Sequence, residues 1–360
     1  MFRKAFAVMV VLALLFAPGA ASSAQAAAAD KCTAEQGQSF IDAGRYKDAI
    51  REFTCVIEAH PTEVEGYRGR IEAELLLGRF SDAVRDYAGV TAFVEPVHPD
   101  AKAIILAGYD ARLAVARESI TALTGLSFAR WWYFDYAAAI HVLHQLLALQ
   151  PDDLYGNLFR GSSRFLQGVT PAKGEADIER ALAIAPLSPD VHYVVADAYF
   201  YGRADYARAI AEATFALDGG LDTPRVHAIL ASAYLALGNL PVAAAHFEWH
   251  MELVTTELIP TSSALEAGDS MTLGLVPGRT YEIPVPAVAG ETISILTGSP
   301  DFYDTIIVLL GPDGTPVTGG DDYKIYFAGF QYDAPAAGTY RLWATSFEGV
   351  NTGDLVVSRK

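Results

Sequence analysis

The chain has 360 residues, 52% of them hydrophobic, which is enough for two or three domains with apolar cores of their own. Its 26 Lys and Arg against 43 Asp and Glu give a formal charge of −17, which disfavours nucleic acid or an anionic membrane surface as a partner. The N-terminal apolar run is too short to cross a bilayer, and no other run is longer, so no membrane-spanning helix is expected.

The chain opens with Arg3-Lys4, runs apolar from Ala5 to Ala17, and then reaches Pro18-Gly19 and Ala24-Gln25-Ala26. A charged start, a short apolar run and an A-x-A site make the pattern of a secretory signal peptide, expected at residues 1–26. Cleavage there removes Arg3 and Lys4 and no acid, taking the charge from −17 to −19. Asp30-Lys31 before Cys32 argues against lipid attachment at that cysteine, because small and apolar residues would stand there instead. The mature chain is therefore expected to be secreted or extracytoplasmic, in the periplasm or at the cell surface.

Next comes Gly44-Arg-Tyr-Lys-Asp-Ala-Ile-Arg-Glu-Phe53, which returns 34 residues later as Gly78-Arg-Phe-Ser-Asp-Ala-Val-Arg-Asp-Tyr87. Each position has a physical reason. Gly44 and Gly78 end one helix and let the chain turn. Tyr46 and Phe80 fill the turn, Ala49 and Ala83 allow close helix approach, and Phe53 and Tyr87 fill the next layer. This grammar and period resemble the tetratricopeptide repeat. Related phrases follow at Phe134-Asp-Tyr136, at Gly161, Phe165 and Gly168, at Asp205-Tyr206, and at Tyr234, Gly238 and Phe247. The resemblance implies a right-handed α-helical hairpin solenoid of about five to six repeats over residues 30–258, irregular at 97–120. In that irregular stretch Pro99-Asp100 is expected to cap a helix with the apolar spacing Ile104, Leu106, Tyr109, Leu113. In the first repeat, Cys32 then falls near the start of one helix and Cys55 near the end of the other. In an exported protein this favours a disulfide, with two buried free thiols as the alternative.

After Pro260 the helical spacing stops. Candidate strands are Ser270–Leu275, Thr280–Pro286, Glu291–Leu296, Thr305–Leu310, Lys324–Tyr332, Thr339–Thr345 and Asp354–Ser358, separated by turn signals such as Pro312-Asp313-Gly314 and Gly319-Gly320-Asp321. Short strands at this density predict an antiparallel β-sandwich over 259–360, so the chain reads as multidomain, α then β. Pro284 and Pro286 predict an edge or an interruption in their strand. The phrases Leu265-Glu-Ala-Gly268, Ala289-Gly290-Glu-Thr-Ile-Ser-Ile295, Val308-Leu-Leu-Gly-Pro-Asp-Gly314 and Ala337-Gly-Thr-Tyr-Arg-Leu342 resemble the bacterial pre-peptidase C-terminal domain. That resemblance implies a jelly-roll-like sandwich with an accessory, non-catalytic role.

Candidate chemistry is sparse. His246 and His250 share a helix face and His227 lies on the partner helix, but Glu248 is out of place for the H-E-x-x-H arrangement, so packing is the preferred reading. His141 and His144 share a face without an acid or cysteine at ligand spacing. Asp301, Asp304, Asp321 and Asp322, with Asp313, are weak calcium candidates on sandwich loops, against ordinary Asp-Gly turn chemistry. No G-x-S-x-G or P-loop occurs, and Gly161-Ser162-Ser163 reads as a close helix contact. No catalytic residue, metal or other cofactor is assigned.

The concave face expected of such a solenoid carries Arg68 and Glu72, the pair Trp131 and Trp132, and the run Asn157, Arg160, Arg164, Gln167. Arginine forks suit carboxylates. The expectation is an exported, non-enzymatic protein-binding scaffold whose groove holds a peptide or protein, with the sandwich as accessory module. The alternatives are a structural cell-surface or assembly component, or a secreted hydrolase with an accessory domain.

Overall fold

The computed structural model describes residues 32–95, 97–168, 170–300, 304–321, 327–347, 349, 351 and 353–360. The expected signal peptide at 1–26 lies outside them. The chain forms two compact units, one ending at Arg203 and the other beginning at Ala204.

In the first unit the helices follow as α1 (Ala34–Asp42), α2 (Tyr46–Ala59), α3 (Val64–Leu76), α4 (Phe80–Gly89), α5 (Ala101–Val115), α6 (Ile120–Trp132), α7 (Tyr136–Leu149), α8 (Leu154–Leu166), α9 (Pro171–Ile184) and α10 (Pro189–Arg203). Four hairpins result: α1–α2, α3–α4, α6–α7 and α8–α9. Three of them turn alike. Gly44 N–H donates to Ile41 O (2.9 Å) and Arg45 N–H to Phe40 O (2.8 Å). The same pair of bonds recurs at Gly78 and Arg79 and at Phe134 and Asp135. The turn residue must be left-handed, which suits Gly44 and Gly78 (φ 70° and 75°), yet Phe134 holds the place at φ 59° with its ring exposed. Close layering also depends on glycine, since a Cβ at Gly69 would enter the Phe53 ring.

The irregular stretch is helical, but on a different face from the one its apolar spacing predicts. Ala101, Ile105 and Tyr109 are buried, four apart, while Ile104, Leu106 and Leu113 are only partly covered. It follows a π-helical turn at Val90–Val94, closed by Glu95 N–H donating to Val90 O (2.9 Å). With α5 set aside, α3 packs directly on α6.

A disulfide joins Cys32 and Cys55, with Cα atoms 6.0 Å apart, across the first hairpin. That hairpin buries Ile41, Ala49 and Phe53 together with Ala73 of α3.

The second unit begins with α11 (Tyr206–Asp218), α12 (Pro224–Ala236) and α13 (Leu240–Val254). Nine strands follow among the described residues: β1 (Glu257–Pro260), β2 (Ser270–Leu275), β3 (Arg279–Ala287), β4 (Thr292–Gly298), β5 (Thr305–Leu310), β6 (Pro316–Gly320), β7 (Gly329–Asp333), β8 (Gly338–Ser346) and β9 (Gly353–Arg359). They form a five-stranded sheet, β1-β3-β8-β5-β6, and a four-stranded sheet, β2-β9-β4-β7. All pairs are antiparallel except β1 with β3. Ile283, Val285, Ile307, Leu309, Leu342 and Ala344 of one sheet meet Leu273, Ile293, Ile295, Leu355 and Val357 of the other in a common core.

Two strands escape the sequence reading. β1 straddles the expected boundary between residues 258 and 259, and β6 ends in Gly319-Gly320, part of a turn signal in the sequence. The strand expected from Lys324 begins at Gly329; residues 324–326 lie outside those described, and 327 and 328 are not in a strand. β3 is not an edge strand, but its prolines obey the rule behind that expectation. β1 pairs only with Arg279–Glu282. Beyond it, the side of β3 turned away from β8 pairs with no strand among the described residues, and there Pro284 O accepts from Leu265 N–H (2.8 Å) and Pro286 O from the Arg359 side chain through Nη1 (2.7 Å).

β5 is buried on both faces. Ile307 and Leu309 enter the sandwich core, while Ile306, Val308 and Leu310 pack on Ala231 of α12 and on Phe247 and Met251 of α13. The last helical hairpin thus covers the outer face of the five-stranded sheet.

Breaking the Cys32–Cys55 bond by Cys55→Ser is expected to cost about 3 kcal/mol for a loop of this length, read as a lower denaturation midpoint without change at the sandwich. Phe247→Ala is expected to cost about 3–5 kcal/mol and to weaken α12, α13 and the sandwich together, because it empties their shared core. Near-ultraviolet signals of Trp249 and Trp343 melting at one temperature in both proteins would check that coupling.

Candidate functional site

A charged brace ties the first helix of a hairpin to the second. In α3, Arg70 donates through Nε and Nη2 to both oxygens of Asp86 on α4, each at 2.6 Å. One turn further along α3, Glu74 is buried and its Oε2 has no partner. Burial, and then the neighbouring Asp86 charge, push the Glu74 carboxyl up to about 9. Between the two acids, Asp86 holds the arginine fork, so Glu74 is the one that keeps its proton.

The same design recurs in α8 with one sign reversed. Arg70 and Glu74 stand eight and four positions before Gly78, as Arg160 and Arg164 stand before Gly168. Arg160 donates to both oxygens of Asp177 on α9, at 2.9 Å through Nε and 2.6 Å through Nη2. Arg164 occupies the place of Glu74. It also donates to Asp177, to Lys173 O (3.3 Å), and through Nη2 to His144 Nε2 on α7 (3.1 Å). Burial and the charges of Arg160 and Arg164 lower the pKa of His144, so its ring is neutral and accepts that bond.

Beside this cluster an open cleft of about 560 Å³ lies between α7, α8 and α9. Leu147, Ala148, Pro151 and Ala176 supply apolar wall, and His144, Asn157, Arg160, Asp177 and Arg180 supply polar groups. Arg180 is half exposed (52%) and pairs with the more exposed Asp152.

The expected concave stripe is therefore redistributed. Arg160 and Arg164 turn towards α7 and α9, the second helices of two successive hairpins, because Asp177 and His144 are there. Asn157 is 1% exposed, and its amide donates to Pro151 O (3.0 Å) and Asp153 O (2.8 Å), fixing the entry into α8. Gln167 is exposed at the end of α8. Arg68 lies against α5, where a Cβ on Gly108 would collide with its guanidinium. Trp131 stacks on Phe128 (5.8 Å) and donates Nε1–H to Ser162 (3.0 Å), while Trp132 stacks on Tyr87 (5.3 Å). Both tryptophans belong to an aromatic core. Its centre is Phe80, whose ring lies 5.5 Å from Phe128, 5.7 Å from Phe159 and 6.1 Å from Tyr193, on α6, α8 and α10. The inner faces of these first helices are filled by the protein's own side chains. Sequence spacing identified the residues but not their direction, and the signal that would have shown it is the matching acid Asp177 one hairpin arm away.

Residues 34–92 and 198–248 match the family model described as tetratricopeptide repeat. The chain carries tetratricopeptide repeats. Among solved structures it is similar to a thermophilic tetratricopeptide repeat protein of Thermus thermophilus, at 21% identity and TM-score 0.36, over 56% of this chain and 96% of that one. It is similar to a tetratricopeptide repeat protein from Parabacteroides merdae, at 15% identity and TM-score 0.40, over 62% and 92%. It is also similar to the pre-peptidase C-terminal domain of a collagenase from Bacillus anthracis, at 15% identity and TM-score 0.25, over 29% of this chain and 95% of that domain. No curated protein matches the chain.

In the last repeat the histidines do not converge on one point. His250 faces Pro224 O and Phe347 O with its two ring nitrogens, each at 2.8 Å. His227 donates from Nε2 to Asp222 (3.0 Å), so its Nδ1 accepts from His246 Nδ1 at 2.9 Å. The ring centroids are 5.2 Å apart, which sets the two nitrogens nearly in line, head to head. That is the geometry of an N–H···N bond; a tetrahedral ion bound at ~2 Å by both would hold the nitrogens about 3.3 Å apart with their lone pairs converging on it, not head to head. Among the described residues no group of three or more His, Cys, Asp or Glu is arranged to hold a metal ion. Of the calcium candidates, Asp301 and Asp322 lie outside the described residues. Asp313 accepts from Thr315 N–H (3.0 Å) and Oγ1 (2.7 Å), which lowers its pKa and spends it on its own turn.

Glu74 generates a test with a definite sign. Folding raises its pKa from 4.5 to about 9, so its favourable protonation is fully present below about 4.5 and is lost as pH rises towards 9. Glu74→Gln is therefore expected to stabilise the first unit, on the order of 2 kcal/mol at neutral pH. The gain should grow between pH 5 and pH 9 in chemical denaturation. A gain independent of pH would show that Glu74 is not the proton holder.

Proposed function

We propose that this protein is a non-enzymatic protein-binding scaffold acting outside the cytoplasm, and that its partner seats in the cleft between α7, α8 and α9. The observation carrying this reading is the cleft itself, in which an apolar wall stands beside arginine side chains in a chain of charge −17. Tetratricopeptide repeat proteins commonly bind proteins or peptides, which supports the class of partner. The Cys32–Cys55 disulfide supports an oxidising compartment. No helix of the described residues is long and apolar enough to cross a membrane. The sandwich serves as an accessory module and covers the last repeat.

Because Arg180 is exposed and its partner Asp152 more so, Arg180→Glu alters the cleft without disturbing the core. A pull-down from the exported proteome is expected to lose its specific protein when the bait carries this change, while a bait changed at Arg85, exposed on α4, retains it. Equal capture by all three baits would remove the cleft from the binding surface.

A further inference from the structure

The two braces act as each other's control. Arg70–Asp86 and Arg160–Asp177 are the same fork at the same repeat position, and each has a third ionisable residue one turn on. In α3 that residue is an acid, and the surplus negative charge vanishes when Glu74 takes a proton. In α8 it is Arg164, 8% exposed, and an arginine has no corresponding escape because it does not deprotonate in proteins. Two guanidiniums then share one carboxylate, and neutral His144 adds no opposing charge. Asp177 is the acid that acts electrostatically on both Arg164 and His144. One positive charge is left over, and a buried surplus charge is costly until an opposite charge meets it.

The unspent hydrogen-bonding groups point the same way. Arg160 uses Nε and Nη2 on Asp177, leaving Nη1. His144 accepts at Nε2, so its remaining Nδ1 carries the hydrogen. Both residues line the cleft. Asp177 also lines the cleft, but both its oxygens are taken by the two arginines, and Asn157 is buried, so what remains to offer a ligand is donors, beside an apolar wall.

We infer that the cleft between α7, α8 and α9 is a binding site for a single carboxylate, carried by a glutamate or aspartate side chain of a partner peptide. The inference rests on the scaffold reading and names the chemistry of its partner. One surplus charge matches a monoanion rather than a phosphate dianion, and the walls of Leu147, Ala148, Pro151 and Ala176 suit the methylenes next to the carboxylate.

The test uses the full chain and fluorescence anisotropy of two end-blocked peptides, tetraglutamate and tetraglutamine. The glutamate peptide is expected to bind about tenfold or more tightly than the glutamine peptide, as one charge-assisted pair provides. Arg164→Glu restores the third residue used in α3 and is expected to abolish that preference. Should circular dichroism show that variant unfolded, Arg164→Gln, which removes the charge at similar size, is expected to do the same. Equal binding of the two peptides would overturn the inference, as would a preference surviving in the folded Arg164 variant. Displacement of tetraglutamate by inorganic phosphate at lower concentration than by acetate would overturn the monocarboxylate assignment. Loss of the captured protein with Arg180→Glu, without any glutamate preference, would leave the scaffold reading standing and remove this one alone. A glutamate preference with capture indifferent to Arg180 would do the reverse.

Discussion

A hairpin of two helices, each about four turns long, carries an apolar face that it has no means of covering by itself, and the whole architecture follows from what covers it. In the first unit the cover is the next hairpin, with glycine wherever two layers come closest, as at Gly69 against Phe53. Where α5 interrupts the series, α3 still reaches α6, and Phe80 extends across α6, α8 and α10. In the second unit the cover for the last hairpin is a sheet, so Phe247 and Met251 meet Ile306, Val308 and Leu310 where another helix pair would otherwise stand. One requirement is met by two kinds of secondary structure.

The brace between paired helices works under this constraint. Once the aromatic layers bring α3 against α4 and α8 against α9, polar groups between them leave water, and an unpaired charge there becomes costly. A bidentate Arg–Asp fork supplies the pairing at Arg70–Asp86 and at Arg160–Asp177. The third residue then sets the local character. An acid there makes an interior that stores a proton, and a base there makes an interior with a standing demand for an anion. A single side chain thus separates a purely structural element from a receptive one, on an otherwise shared scaffold.

Much of the architecture was legible in the sequence because its causes are local. Gly44 and Gly78 mark turns by conformational need, alternation marks Ser270–Leu275, and a short apolar run between turns marks Thr305–Leu310, both with the same limits in sequence and structure. The Cys32–Cys55 pairing follows from the repeat register. What was not legible depends on partners distant in the chain. Pairing with Arg279–Glu282 turns Glu257–Pro260 into a strand, and two-sided burial of β5 is invisible until α13 is in place. The candidate site shows the same division. Spacing correctly grouped Arg160 with Arg164, but their direction is decided by Asp177 and His144, which belong to other helices, and Trp131 and Trp132 go to an aromatic core whose centre, Phe80, comes from an earlier repeat.

Repeat arrays ordinarily open from their ends, because a terminal unit has a neighbour on one side only. Here the first hairpin is closed by a covalent cross-link and the last by a sheet. Each unit thus has one hairpin held by something other than a further helix pair, and in the first unit the least protected amides shift away from the cross-linked end. The natural place is Val90–Val94, where the backbone leaves the usual four-residue bonding and each turn is wider. The first unit then yields at the seam between the second hairpin and α5 before it yields at its cross-linked hairpin.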